Sequence, residues 1–375
     1  MEGKRTIHSI KLKNILSFGN EGQEIELQPL NVLIGPNASG KSNFIEVFRL
    51  LQALPTNPAK VIRDGGGVAE WLWKGSEAVP KARITVDAGQ IHYWLEFTKA
   101  GYYWQIADEY IGDPIDASNS SSAPPITRNS YDPENEDGFP DPFPPDTSLL
   151  EILRNEQREG TLAKLFSSIG IYKDWNNSRY SLLRSPQRPD LPGRPLFEDL
   201  SNFGLVFNNL PSRIKQEITN QVRQVYDGVE EIRTPIDGGA VQLWIQEQGL
   251  SSPTPAARVS DGTLRYLFLL TLLKLPDPPP LICLEEPEMG LHPDLIHSVA
   301  ELLIEASQRT QLIVTTHSES LIYALTEIPE AVVVCERKPE GTQLKRLDPE
   351  TLKSWLERYS LDELWMSGEI GGTRW

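Results

Sequence analysis

The spacing of apolar positions changes several times along the chain, and each change marks an element. Residues 6–16 alternate, with Ile7, Ile10, Leu12 and Ile15 set among His8, Lys11, Lys13 and Asn14, and Glu24-Ile25-Glu26-Leu27 repeats the pattern before Pro29. A period of two belongs to a strand with one wet face, so two half-buried strands are predicted here. Leu30-Asn31-Val32-Leu33-Ile34 is instead a continuous apolar run, and Phe44, Val47, Phe48 and Leu51 then recur at helical spacing across 43–54. That reads as a buried strand followed by a helix. After breaks at 55–58 and Gly65-Gly66-Gly67, alternating runs at 82–86, 91–97 and 102–107 are joined by Ala88-Gly89 and Ala100-Gly101, which predicts an antiparallel meander.

Residues 112–147 lose this order. Ser118 to Ser122, Pro124-Pro125 and the prolines from Pro140 to Pro145 sit among acids, a composition too polar to offset its ordering entropy, so a mobile loop is expected. Helical spacing returns with Leu149, Leu150, Ile152, Leu153, Leu162, Leu165 and Phe166, and again across 197–225 with a break near Pro211. No heptads are sustained, which excludes a long coiled-coil arm. Residues 229–232 and 241–245 read as strands with the turn Asp237-Gly238-Gly239 between them. Ser260-Asp261-Gly262-Thr263 then opens an apolar helix at 264–275, and Leu281-Ile282-Cys283-Leu284 runs straight into Glu285-Glu286-Pro287-Glu288. A helix at about 293–308, a buried strand at 312–316, a strand at 331–335 and an amphipathic tail at 352–366 complete the pattern. The fold class is α/β, with lobes at 1–111 and 229–375 and an insertion at 112–228, whose part 148–228 is mainly helical.

Composition excludes several classes. The longest apolar run, 266–275, is ten residues and contains Thr271 and Lys274, too short to cross a membrane. The start, Met1-Glu2-Gly3-Lys4-Arg5, has no apolar signal core, so a cytoplasmic protein is expected. The two cysteines, Cys283 and Cys335, lie in apolar runs and read as buried reduced thiols. A net charge of −16 argues against a surface that binds nucleic acid everywhere. The charge is uneven, however: 108–146 holds ten acids and one base, while 154–194 holds eight bases and four acids with Tyr172, Trp175 and Tyr180 interleaved. That basic stretch is either a DNA contact or a solvated helical face.

The chemistry starts at Gly35-Pro36-Asn37-Ala38-Ser39-Gly40-Lys41-Ser42, which fits G-x-x-x-x-G-K-[ST] between a predicted strand and a predicted helix. In that context the glycines let backbone N–H groups curl around phosphate oxygens, Lys41 reaches the β/γ-phosphates of ATP and Ser42 binds Mg²⁺. The alternative, a glycine-rich turn with an exposed lysine, does not require the strand and the helix. Glu285 and Glu286 end a buried run at the edge where open α/β sheets bind ligands. Glu285 is placed to hold the Mg²⁺ hydration shell and Glu286 to act as general base on water; two adjacent glutamates are otherwise a helix cap. His317, at the end of a predicted strand, is a candidate sensor of the γ-phosphate or a structural histidine.

Taken in order, the P-loop, Ser260-Asp261-Gly262-Thr263, Leu281 to Glu288 with Gly290-Leu291-His292-Pro293, and Thr315-Thr316-His317-Ser318 resemble the ABC-type ATPases of the SMC/RecF/OLD-like branch, as stand-alone AAA-family predicted ATPases. The resemblance implies an ABC-type P-loop NTPase core, a mixed central sheet with an antiparallel β subdomain. It implies an Mg²⁺-dependent ATPase that forms a homodimer through an ATP sandwich, with Ser260 and Gly262 of one copy contacting the γ-phosphate held by Lys41 and Ser42 of the other. Two positions depart from the usual pattern: Glu285 stands where many relatives have aspartate, and Asp261-Gly262 replaces a glycine pair. The pattern does not place a Q-loop glutamine: Gln90 and Gln105 lie in the β-rich part of the chain and read as surface glutamines. No nuclease-type carboxylate cluster follows His317, so a separate effector or nuclease protein is implied, as in anti-phage defence. The rival reading is a slow nucleotide-gated scaffold; a transporter subunit fits the insertion poorly.

Overall fold

Two half-buried strands open the chain as the alternation predicts: β1 (Ser9–Lys13) and β2 (Gln23–Glu26) pair antiparallel, turning Ile10, Leu12 and Ile25 inward while Lys11 and Glu24 form an ion pair at 3.2 Å outside. The structure is a computed structural model and describes residues 3–75, 80–113, 126–129, 144–173 and 181–372. β3 (Leu30–Ile34) is buried at every position and enters a different sheet. The P-loop and α1 (Lys41–Ala53) follow, then the short helices α2 (Pro58–Asp64) and α3 (Val68–Trp71). The meander is β4 (Ala82–Asp87), β5 (His92–Ala100) and β6 (Tyr103–Gly112). β4 pairs with β1, and β7 (Ile126–Asn129) adds to β6, giving an antiparallel sheet in the order β2-β1-β4-β5-β6-β7.

β7 corrects the expectation of a continuous mobile loop at 112–147, because its backbone is satisfied along Asp108–Ile111 of β6. The remainder of that loop, 114–125 and 130–143, lies outside the described residues. Glu109, counted from sequence among the acids flanking that loop, is fully buried. Its carboxylate accepts from the Tyr93 hydroxyl at 2.9 Å, the Ser148 hydroxyl at 2.5 Å and the Leu149 amide at 2.7 Å, and so seats α4 (Leu149–Ile152) on the meander. α5 (Gln157–Ser167) buries Leu162, Ala163 and Phe166. The stretch expected as an inserted helical subdomain also supplies an edge strand of the core, β8 (Gly170–Tyr172), before α6 (Phe203–Asn208) and α7 (Ser212–Val222), which part at Pro211.

In the second half, β9 (Val229–Arg233) does not meet its partner through the glycine turn. Gly238 and Gly239, at φ +56° and +77°, turn the smaller hairpin of β10 (Ile236–Asp237) and β11 (Ala240–Val241). β9 instead pairs with β12 (Trp244–Glu247), which also holds β13 (Thr254–Pro255). α8 (Asp261–Leu273) is buried on all sides from Leu264 onward, as a helix apolar all round must be. Next come β14 (Leu281–Glu285), α9 (Ile296–Ser307), β15 (Gln311–Thr315), α10 (Glu319–Tyr323), β16 (Val332–Lys338), β17 (Gly341–Arg346), α11 (Pro349–Leu356) and α12 (Leu361–Met366).

The second six-stranded sheet runs β17-β16-β3-β15-β14-β8, parallel except for β17. Its strands bury both faces. Val32, Ile34, Leu284 and Val334 pack on the side of α8 and α9, whereas Leu33, Cys283 and Cys335 pack on the side of α1 and the antiparallel sheet. Both cysteines are buried free thiols, and burial pushes Cys335 up to about 12. Replacing Glu109 by alanine would strand the Tyr93 and Ser148 hydroxyls and the Leu149 amide without their acceptor. A loss of about 2–4 kcal/mol is expected in urea unfolding, with nucleotide binding by the folded fraction kept.

Candidate functional site

Parallel strands that end level put their following loops on one edge, and here that edge gathers the motif residues. Glu285 of β14 lies opposite Thr315 of β15, and Thr315 lies opposite Leu33 of β3. The P-loop leaves β3 at Gly35, whose φ of +145° and close approach to the Cys335 carbonyl leave no room for a Cβ. Ala38 at φ +62° and Gly40 at +107° complete the curl. Ser39 is fully buried; its carbonyl accepts from the Thr342 hydroxyl at 2.9 Å, and its own hydroxyl makes no hydrogen bond within the described chain. Asn37 is exposed at the tip.

Lys41 is 6% exposed and donates to the carbonyls of Gly35 at 2.8 Å and Pro36 at 2.9 Å, arching over its own loop. Burial lowers this ammonium below the usual lysine range, opposed by Cys335, Glu286 and Glu285. The Ser42 hydroxyl donates to Glu285 Oε1. Glu286 stands at φ +46°, a strained conformation for a residue before proline, fixed from both sides. Its amide donates to the Thr315 carbonyl at 3.0 Å, and its carbonyl accepts from Arg265 Nη2 at 3.1 Å. The carboxylate thereby sits 3.6 Å from His317 Nε2, with the two side chains 33% and 22% exposed. Beneath them Glu288 accepts from the Thr316 hydroxyl at 2.5 Å and the His317 amide at 3.1 Å, and burial raises its carboxyl above the usual range.

Lys41, Ser42, Glu286, Thr315, His317 and Arg337 line a cleft of about 310 Å³, and Glu285 adjoins it through the Ser42 hydroxyl. Its chemistry fits a nucleotide with a divalent ion. Ser42 and Glu285 are paired hard oxygen donors of the kind Mg²⁺ accepts, and Mg²⁺ takes the rest of its shell from water and phosphate. Among the described residues no group of three or more His, Cys, Asp or Glu side chains forms a metal cage of its own.

Ser260 and Gly262 are not in the cleft lining. Ser260 caps α8, its hydroxyl accepting from the Thr263 amide at 3.1 Å. Gln90 and Gln105 also stand apart, Gln90 exposed in the β4–β5 turn and Gln105 beside Tyr102 and Tyr103. Sequence reasoning missed Arg265, Arg337 and Thr342. Arg265 was detectable as a charge inside an apolar helix; it is 4% exposed, and burial pulls it down to about 10 against the pull of Glu288 and Glu286. Four of the eight bases in 154–194 are paired within the chain: Lys173 with Glu46, Arg184 with Asp261, Arg188 with Asp190 and Arg194 with Asp277. Trp175 and Tyr180 lie outside the described residues.

A family model described as "AAA domain, putative AbiEii toxin, Type IV TA system" matches residues 30–322, from β3 into α10. The chain belongs to this AAA family. No curated protein matches it in sequence. Among solved structures, an SMC head bound to the C-winged helix domain of ScpA is 14% identical, covers 93% of this chain and 100% of its own, and superposes with a TM-score of 0.60. The SMC head domain with an extended coiled coil bound to the C-terminal domain of ScpA, derived from Pyrococcus furiosus, is 12% identical over 94% of this chain and 98% of its own, with a TM-score of 0.54. At such identities the likeness establishes the fold, that of an SMC-head, ABC-type P-loop ATPase. No helix among the described residues is long and apolar enough to cross a membrane.

The packing of this AAA domain's P-loop makes Gly40 sensitive to a single methyl group. A Cβ there would lie 2.2 Å from Thr342 Oγ1 and 2.7 Å from Ser17 Oγ, two hydroxyls bonded to each other at 2.7 Å. Gly40→Ala is expected to cost about 1–3 kcal/mol in urea unfolding and to abolish binding of a fluorescent ATP analogue.

Proposed function

We propose that this AAA protein binds ATP with Mg²⁺ in the cleft and hydrolyses it, and that two copies close head to tail around the nucleotide to control an effector. The observation that carries the reading is the convergence of the Ser42–Glu285 pair, Lys41 and the Glu286–His317 pair on one strand edge. Lys41 already neighbours the place of the β/γ-phosphates; an arriving anion replaces the Gly35 and Pro36 carbonyls as its acceptor, and a charged acceptor is the stronger one. The first-turn amides of α1 add donors aimed at the same oxygens. Ser42 and Glu285 are placed to hold Mg²⁺, which when bound neutralises charge on the transferring phosphoryl group. Glu286 receives the proton of the attacking water, and His317 carries the γ-phosphate contact.

A single copy lacks a cap on the γ-phosphate side, because Ser260 and Gly262 sit outside its cleft. A second copy turned head to tail supplies them from the first turn of α8. The family's description as a putative toxin of a type IV toxin–antitoxin system supports a toxin–antitoxin setting; the separate effector is part of the proposal and rests on the sequence resemblance alone. The proposal does not call on DNA, since four of the eight bases in 154–194 are engaged within the chain.

Glu286→Gln should keep ATP binding and lower steady-state phosphate release by about a hundredfold or more. Release at the parent rate would remove Glu286 as the base. Lys41→Ala should lose ATP binding outright. Glu286→Gln protein should sediment as a dimer with ATP and Mg²⁺ and as a monomer without them, and a monomer in both conditions would refute the sandwich. Should the parent associate with ATP yet release phosphate no faster than Lys41→Ala, the protein is a nucleotide-gated scaffold.

A further inference from the structure

Arg184, in the segment 181–200, reaches the start of α8. This guanidinium is 8% exposed; Nη1 donates to the carbonyls of Ala256 at 2.9 Å and Val259 at 2.7 Å, and Nη2 pairs with the Asp261 carboxylate. The groups it holds are the turn just before Ser260 and the first residue of α8. Asp261 itself is 66% exposed, so its carboxylate stands at the surface beside the first-turn amides while a buried cation grips it from beneath.

Those neighbours impose an electrostatic conflict that Arg184 resolves. The first turn of a helix attracts anions through its unpaired amides and its dipole. A carboxylate at the first helical position repels any second anion brought within a few ångströms. The chain has aspartate there, followed by Gly262, where a glycine would leave the approach clear. Pairing with Arg184 cancels the charge at short range, so that an approaching phosphate meets the amides of Asp261 and Gly262 and the Ser260 hydroxyl.

We infer that Arg184 is a positioning residue of the composite site: it neutralises Asp261 and fixes the 256–259 turn, so that α8 can receive the terminal phosphate of a nucleotide held by a second copy of this chain. The inference rests on the head-to-tail reading above. It also gives the basic segment a role within the protein, as the carrier of a cation that the signature turn requires.

The test uses full-length Glu286→Gln protein, with association measured by sedimentation in ATP and Mg²⁺ and protomer affinity measured with a fluorescent ATP analogue. Adding Arg184→Gln should weaken association about tenfold or more while the analogue binds each protomer as before. Arg184→Lys, which keeps the charge, should regain part of the loss. Arg184→Gln with Asp261→Asn, which removes both charges, should return association to within about threefold of the parent, a recovery that a purely structural staple would not show. Unaltered association in Arg184→Gln, or a double variant as weak as the single, would overturn the inference. Ser260→Arg separates the two levels. If association survives Ser260→Arg, the head-to-tail reading fails; if it is lost there but unchanged in Arg184→Gln, only the role of Arg184 fails.

Discussion

Every buried strand must satisfy its backbone on both sides, and in the parallel sheet this requirement also aligns the site. β3 lies between β15 and β16, and β14 lies beyond β15, so Leu33, Thr315 and Glu285 stand in a row across the ladder. The pairing continues one residue past the strands: the Thr316 amide donates to the Leu33 carbonyl at 3.1 Å, and the Glu286 amide to the Thr315 carbonyl at 3.0 Å. Those bonds carry the P-loop, the glutamate pair and His317 off the same edge at fixed separations. A slip of one residue in any of these strands would exchange the side chains packed against α8 and α9 with those packed against α1 and the antiparallel sheet, and the close packing of both cores holds the register that the cleft needs.

The other side of the P-loop is held by an edge that looks unremarkable in sequence. Thr342 of β17 bonds to Ser17 and to the Ser39 carbonyl, and Gly341, at φ +120°, packs on the backbone of Ser17 and Gly19. The turn after β1, the phosphate loop and the β16–β17 hairpin therefore meet without space for a Cβ at Gly40 or Gly341. The glycine of the motif has two reasons to be there: one is access for phosphate, and the other is this three-way contact.

How much could be read from sequence follows from what each signal measures. β3, β14 and β15 were legible because strands buried on both faces are continuous apolar runs. β17 was missed because Thr342, Gln343, Lys345 and Arg346 dilute its apolar content, and an edge strand needs only one partner. Glu109 misled for the opposite reason. An acid next to an acidic stretch reads as solvated, and only the fold shows it closing over Tyr93 and Ser148. Two bases of the basic stretch were opaque through distance: Lys173 pairs with Glu46 across 127 positions and Arg184 with Asp261 across 77, separations that no local pattern can register. The motif residues were legible as types and spacings, but the placement of Ser260 outside the cleft and of Arg265 against Glu286 required the packing of α8.

The same packing bears on what the cleft can change when a ligand arrives. Lys41 is buried and already satisfied by two carbonyls of its own loop, so phosphate exchanges its partners without an ordering cost for a free side chain. Glu286 is held by hydrogen bonds at its amide and its carbonyl in a left-handed conformation that it would leave if released. Under the proposed nucleotide binding, neither group would have far to move. The head-to-tail proposal puts the remaining contacts on the open side of the cleft, since Ser260 and Gly262 do not line it in the same copy. On the head-to-tail proposal, a site preorganised on its closed side and incomplete on its open side is limited by encounter with whatever completes it, and control of turnover would then fall on the surface around the first turn of α8.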